Sequence, residues 1–134
     1  MAIVEEIIRI EEDGSISFGN HKLDVKTKVS DFEYDGDIYK VKTYNEITKL
    51  ERNGSFIYES VPGTSVHNLK LSDRGVEFNV DTAVDASITV ELENDTEYIM
   101  YLDGVNAGTT KSNLSGKVML SANRGETEVK IVKA

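Results

Sequence analysis

The stretch IRIEEDGSISF, residues 8–18, decides the fold class, because its turn chemistry and its side-chain alternation agree. An Asp-Gly pair between β-branched and aromatic residues is a strong short-range hairpin signal. With that glycine closing a three-residue loop, Ile10 lies opposite Ile16 and Ile8 lies opposite Phe18. A two-residue loop would instead place an isoleucine opposite a serine. The stretch therefore predicts an antiparallel hairpin with one apolar face.

Five further glycine-closed turns are spread along the chain: Asp35-Gly36, Asn53-Gly54, Arg74-Gly75, Asp103-Gly104 and Arg124-Gly125. Short runs rich in β-branched and aromatic residues flank most of them, as they do in hairpins. The Asn53-Gly54 turn predicts that Leu50 pairs with Phe56, and the last turn predicts that Leu120 pairs with Val129. All four of these side chains are expected in the core.

The turns predict an all-β protein, an antiparallel hairpin meander followed by an immunoglobulin-like β-sandwich. The only proline, Pro62, marks the boundary between a meander half (residues 1–62) and an immunoglobulin-like half of about seven strands (residues 63–134). Neither half is large, so we expect both to share one core and to unfold as one cooperative unit. Residues 3–8 fit either a short helical turn or a strand.

Composition argues against several partners. A formal net charge of −9 over 134 residues repels phosphate backbones and anionic membrane surfaces, so we expect neither nucleic acid nor a membrane as partner. No apolar run approaches the ~20 residues that span a bilayer, and the acidic start lacks the features of a signal peptide. The default expectation is a cytoplasmic protein, with non-classical release left open. The absence of cysteine excludes disulfides and thiolate catalysis.

Few residues fit catalysis or metal binding. His21 lies in a polar loop and His67 on a strand, and both are expected at the surface, since no Gly-x-Ser-x-Gly elbow would expose a serine to either. The segment Asp31–Asp37 places four carboxylates at alternate positions, where calcium binding stays open. We expect no cofactor, no catalytic residue and no metal ligand, and therefore not an enzyme.

Tyrosines from neighbouring predicted strands are candidates for a ligand platform, because sugars stack on exposed aromatic faces. The four are Tyr34, Tyr39, Tyr44 and Tyr58. The competing interpretation is that they are core residues whose hydroxyls reach the rim. The absence of tryptophan weakens the prediction of sugar binding without removing it.

The segment of residues 96–102 is apolar on both of its faces, which is unusual for a strand with one wet side. Ile99 and Tyr101 lie on the face opposite the one expected to meet the sandwich core. A strand of this kind must be covered twice, either by another part of the chain or by another molecule. Ile99 and Tyr101 are therefore the candidate interface residues.

Three segments carry a resemblance to known proteins: Glu12-Asp-Gly-Ser-Ile-Ser-Phe-Gly-Asn, Glu46-Ile-Thr-Lys-Leu-Glu-Arg-Asn-Gly and Tyr58-Glu-Ser-Val-Pro-Gly-Thr. They resemble a family of short clostridial β-rich proteins commonly labelled endosialidases, over the whole length of the chain. The C-terminal part also resembles accessory β-sandwich modules of polysaccharide-active enzymes. Sialidases are similar to one another in an arginine cluster, whereas three of the four arginines here are expected at separate hairpin tips. The resemblance therefore implies no catalytic residue.

Two function classes stay open. The first is a non-catalytic structural or protein-interaction module that self-associates or joins a larger assembly, so that its partner is itself or another protein. The alternative is a carbohydrate-binding module whose partner is a glycan. The two-faced strand supports the first, and the tyrosines with the module resemblance support the second.

Overall fold

The computed structural model describes residues 3–134, and within this range the chain is all-β and has no helix. Sheet A contains, in spatial order, β1 (Ile8–Ile10), β2 (Ile16–Phe18), β7 (Ser65–Ser72), β8 (Gly75–Thr82), β13 (Gly125–Lys133), β10 (Glu97–Leu102) and β11 (Val105–Lys111). Sheet B contains β12 (Lys117–Ala122), β9 (Ala86–Glu91), β6 (Ser55–Val61), β5 (Ile47–Arg52), β4 (Asp37–Tyr44) and β3 (Thr27–Tyr34). The predicted all-β sandwich is confirmed.

The core lies between the two sheets and follows from cross-strand registers that align apolar residues in rows. One row crosses sheet B through Val29, Val41, Leu50, Tyr58, Val90 and Val118. A facing row crosses sheet A through Leu71, Val76, Ile131 and Met100. The Tyr58 ring packs edge-on against Phe18 and Phe78 of sheet A, with centroid distances of 5.2 and 5.6 Å.

Strands from both sides of Pro62 build both sheets. The first part of the chain supplies β1 and β2 to sheet A and the meander β3–β6 to sheet B, and the seven later strands complete both sheets. The sandwich therefore spans the chain instead of lying in its second half alone. Met1 and Ala2, the first two residues of the predicted meander half, lie outside the described residues. Residues 3–7 contain a turn at Glu5-Glu6 and no helix, and the first strand begins at Ile8.

A buried hydroxyl network holds the crossover from β6 to β7. Thr64 Oγ1 lies 2.7 Å from the Tyr58 hydroxyl and 2.8 Å from Ser60 Oγ. The Thr64 backbone is bound by Thr48, whose hydroxyl donates to the Thr64 carbonyl (2.7 Å) and accepts from its N–H (3.0 Å). All four side chains are fully buried. Because each polar atom has a partner, this network fixes the crossover without leaving a buried group unsatisfied.

Two predicted pairings are wrong. Asn53 and Gly54 form the two-residue loop between β5 and β6, and a bulge in β6 follows it. As a result Leu50 pairs with Tyr58, and Glu51 pairs with Phe56. That bulge turns Phe56 to the outer face of sheet B. Leu120 and Val129 do not pair at all, because β12 and β13 lie in different sheets. Both side chains are still buried, since both belong to the core between the two sheets.

Candidate functional site

The four candidate tyrosines do not form one exposed platform. Tyr58 is fully buried and Tyr39 is 5 % exposed, so neither ring is available for stacking by a ligand. Tyr34 is half-buried against the core, and Tyr44 lies on the opposite, outer face of sheet B beside Ile47. Burial raises the pKa of both Tyr58 and Tyr39 above the ordinary tyrosine value. The four tyrosines therefore do not form the predicted platform. Tyr34, Tyr39 and Tyr58 lie on the core side of sheet B, and alternation places Tyr44 on its outer face.

His21 is buried, contrary to its expected place in a surface loop. Its Nδ1 lies 2.7 Å from Ser65 Oγ, and Ser65 sits opposite Asp81 on the neighbouring strand. Ser65 has no exposed surface, so this pair offers no nucleophile to a substrate. Burial also lowers the pKa of His21 below its ordinary value. The histidine therefore supports the structure in its neutral form.

A neutral buried histidine makes stability depend on pH. The unfolded chain takes up a proton near the ordinary pKa of 6.5, whereas the folded His21 takes it up only at lower pH. The stabilising contribution is therefore complete above pH 6.5 and is lost as pH falls through the lowered folded value. Melting followed by circular dichroism from about pH 7.5 to about pH 5 should show a falling melting temperature.

The His21→Gln variant should flatten that pH dependence, and His67→Gln is the matched control that should keep it. Glu11, whose pKa is lowered chiefly by the Ser17 hydroxyl, acts in a separate window below its ordinary value of 4.5. Parallel melting curves for the parent and His21→Gln across the whole range would contradict the assignment.

The acidic segment Asp31–Asp37 does not gather ligands in the described structure. Asp31 sits at a bulge with a φ of 59°, and Asp37 Oδ1 accepts a hydrogen bond from Asn53 Nδ2 at 2.8 Å. Among residues 3–134, no group of three or more histidine or carboxylate side chains is placed to hold a metal ion. The tight turn at Asp35-Gly36 explains the difference together with the bulge, because it pairs Asp37 with Tyr34 and so puts Asp37 on the face opposite Glu33.

Ile99 and Tyr101 lie where the sequence placed them, on the outer face of strand β10. Their neighbours Tyr98, Met100 and Leu102 point to the core, and both interface candidates are half-buried. The first part of the chain does not cover them, because β1 and β2 lie at the far end of sheet A. Within the described residues this face carries no third layer of strands. It remains available to another molecule.

A groove of about 670 Å³ opens on this face beside Tyr101, and we call it the tyrosine groove. One wall is a row that crosses four strands in register: Tyr101, Lys130, Glu77 and Lys70. The other wall is formed by Val132 and Gly75, and Ile99 continues their row outside the groove. Because Gly75 adds no side chain to its row, the surface dips there. Arg74 and Glu128 complete the lining.

Charges alternate along the wall of the tyrosine groove. Lys130 and Lys70 flank Glu77, and Lys70 Nζ also lies 2.9 Å from Asp13 Oδ2. The Asp13 carboxylate raises the pKa of Lys70, while hydrogen bonds from Ser15 and Lys70 hold the pKa of Asp13 well below its usual range. The groove thus combines a tyrosine ring with charged groups of both signs. Alternation along the strand predicted the outward position of Tyr101. It did not single out the charged residues of the groove, whose only sequence signal was their place on the outward-facing side of each strand.

Comparison with protein-family models, with curated proteins and with solved structures finds no match for the chain. Residues 3–134 contain no helix that is long and apolar enough to cross a bilayer. The candidate sites are therefore the two outer faces of the sandwich, and the tyrosine groove is the main one.

Proposed function

We propose that this protein is a non-catalytic interaction module that docks a second protein surface, in the first instance its own copy, on the tyrosine groove. The observation that carries the proposal is the half-buried apolar set of Ile99, Tyr101 and Val132, which lies beside a groove and which no third layer of strands from residues 3–134 covers. Apolar side chains grouped on an open sheet face mark interaction sites more often than isolated ones do.

The charge pattern supports a self-complementary contact. In a two-fold contact the same patch meets itself, so each group must find its complement in that patch. The wall of the groove meets this requirement, because the strand register places Glu77 between Lys70 and Lys130. Two copies related by a two-fold axis would then set lysine against glutamate while Tyr101 of each enters the groove of the other. Aromatic anchors in pockets dominate the energetics of many interfaces.

Replacement of Ile99 by aspartate tests this proposal. The side chain is half-buried in the single chain, so the Ile99→Asp variant should fold, but it would bury a carboxylate in the interface. We expect the dissociation constant of the dimer to rise at least about tenfold. Light scattering across a dilution series measures this effect. The exposed Ser87→Asp, on the outer face of sheet B, is the matched control and should leave association unchanged.

A parent protein that stays monomeric at every concentration would contradict self-association. Equal weakening by Ser87→Asp and Ile99→Asp would show that added charge acts through net repulsion instead of through the groove. A fall in melting temperature of Ile99→Asp at all concentrations would mean that Ile99 supports the fold itself.

A carbohydrate-binding module is the second candidate, and the lining of the tyrosine groove favours it. The Tyr101 ring stands beside Lys130, Glu77 and Glu128, the combination of one aromatic face with several polar groups that orients a sugar. The resemblance to accessory modules of polysaccharide-active enzymes supports the same function. A glycan array with the parent and Tyr101→Ala separates the candidates, since sugar binding by a monomer that the variant loses would favour this one.

A further inference from the structure

The outer face of sheet B, opposite the tyrosine groove, carries three lysines side by side. Pairing in register places Lys28 of β3 next to Lys42 of β4, and Lys42 next to Lys49 of β5. We call these residues the lysine row. Neighbouring strands are about 4.8 Å apart, so the three side chains start from a straight line across the sheet. The corresponding row on sheet A alternates in sign instead.

Adjacent lysines of this kind disfavour the folded state, because like charges directly opposite one another on a sheet repel. The chain could have relieved the repulsion, since it holds 24 acidic residues against 15 basic ones. Yet none of the three lysines makes a salt bridge with any residue in the range 3–134. Glu59 of β6 lies opposite Lys49 and ends the positive part of the row, so the charge that an anionic ligand would neutralise is confined to Lys28, Lys42 and Lys49.

Phe56 of β6 lies in a neighbouring row, opposite Glu51, and adds a flat apolar element beside Lys49. Its ring lies on the same outer face, with Lys49 Nζ at 5.7 Å and Lys117 Nζ at 5.5 Å from the centroid. Two ammonium groups thus flank a single aromatic ring, within the range of cation–π attraction. A group that is apolar on one side and anionic at its edge would contact the ring and both ammonium groups at once.

We propose that this face binds an acidic polysaccharide, with carboxylate or sulfate groups on the lysine row and one sugar ring against Phe56. A sugar has the required shape, because its C–H face packs on an aromatic ring while its acid group lies at the edge. Duplex nucleic acid fits less well, since its bases are stacked inside the double helix and leave no apolar face free to pack on Phe56. This site is independent of the docking proposed on sheet A, because it lies on the opposite face of the sandwich.

Binding of polygalacturonate, measured by calorimetry at low and high salt, tests the proposal, with neutral dextran as the uncharged probe. We expect salt-sensitive binding of polygalacturonate and none of dextran. Lys42→Gln and Lys49→Gln should each weaken it about tenfold, because each removes a charge-assisted contact. Phe56→Ala should weaken it as well. Lys111→Gln, at an exposed lysine of strand β11 outside the tyrosine groove, is the matched control and should bind like the parent. Dextran sulfate, which carries sulfate groups and no carboxylate, decides in a parallel titration between carboxylate and sulfate as the preferred group.

A stability measurement separates a binding role from a structural one. Lys42→Gln removes like-charge repulsion, so its melting temperature should equal or exceed that of the parent while its affinity falls. The proposal is overturned if neither acidic polysaccharide binds or if Lys111→Gln weakens binding as much as Lys42→Gln does. It is also overturned if duplex DNA binds as tightly as the polysaccharides, or if Lys42→Gln melts well below the parent.

Discussion

Replacing Tyr58 by alanine is expected to lower the free energy of unfolding by about 3–5 kcal/mol, the range for deleting a large buried aromatic ring. Tyr58 is fully buried on sheet B, and its ring packs edge-on against Phe18 and Phe78 of sheet A. Its loss would open a cavity between the two sheets. Since domains of this kind are stable by about 5–15 kcal/mol, the variant should be close to unfolding at physiological temperature.

Urea denaturation followed by circular dichroism and by tyrosine fluorescence measures this loss and also tests cooperativity. Because β-strands from both sides of Pro62 build both sheets, the two signals should report one transition. Tyr58→Phe keeps the ring and removes one hydrogen bond to Thr64, so it should cost only about 1 kcal/mol. Tyr44→Ala, on the outer face, is the second control. Equal losses for Tyr44→Ala and Tyr58→Ala would contradict the core described here.

Replacing Gly63 by alanine is expected to cost about 3 kcal/mol or more, because the crossover from β6 to β7 has no room for a methyl group. A Cβ there would lie 1.9 Å from the Tyr44 carbonyl oxygen, a backbone atom that cannot rotate away. Relieving the clash would break the hydrogen bond from Gly63 N–H to the Asn45 carbonyl, now 3.0 Å long. It would also shift Thr64, the centre of the buried hydroxyl network.

Gly54→Ala is the matched control for that clash. Gly54 has a φ of 81°, but a Cβ there meets no atom within 4 Å, so its cost is backbone strain of about 1–2 kcal/mol. Thermal unfolding of the two variants side by side should show the larger loss for Gly63→Ala. A smaller loss for Gly63→Ala than for Gly54→Ala would mean that the crossover lies farther from Tyr44 than the structure places it.

The features that could be predicted from the sequence are local ones. In the first hairpin, the pairing of Ile10 with Ile16 and of Ile8 with Phe18 is confirmed, because the Asp-Gly turn fixes the register within a few residues. The outward position of Ile99 follows from alternation along one regular strand. In these cases the deciding interactions lie within a short stretch of chain.

The features that could not be predicted depend on bulges and on the choice of sheet. A turn at Arg124-Gly125 has the same local chemistry whether it joins two paired strands or two sheets, so the sequence did not separate β12 from β13. One extra residue in β6 moved Phe56 from the expected core to the outer face. The lysine row could not be predicted either, because Lys28 and Lys49 become neighbours of Lys42 only through the register of three strands.

The most direct test of the central claim, that the protein acts by docking on the tyrosine groove, is a concentration series of two-dimensional amide NMR spectra. We expect changes in amide chemical shift that grow with concentration and that map to Tyr101, Lys130 and Glu77 on the outer face of sheet A. Ile99→Asp should abolish them, and Ser87→Asp should not. Spectra that do not change with concentration, or shifts that map to the outer face of sheet B, would contradict the account.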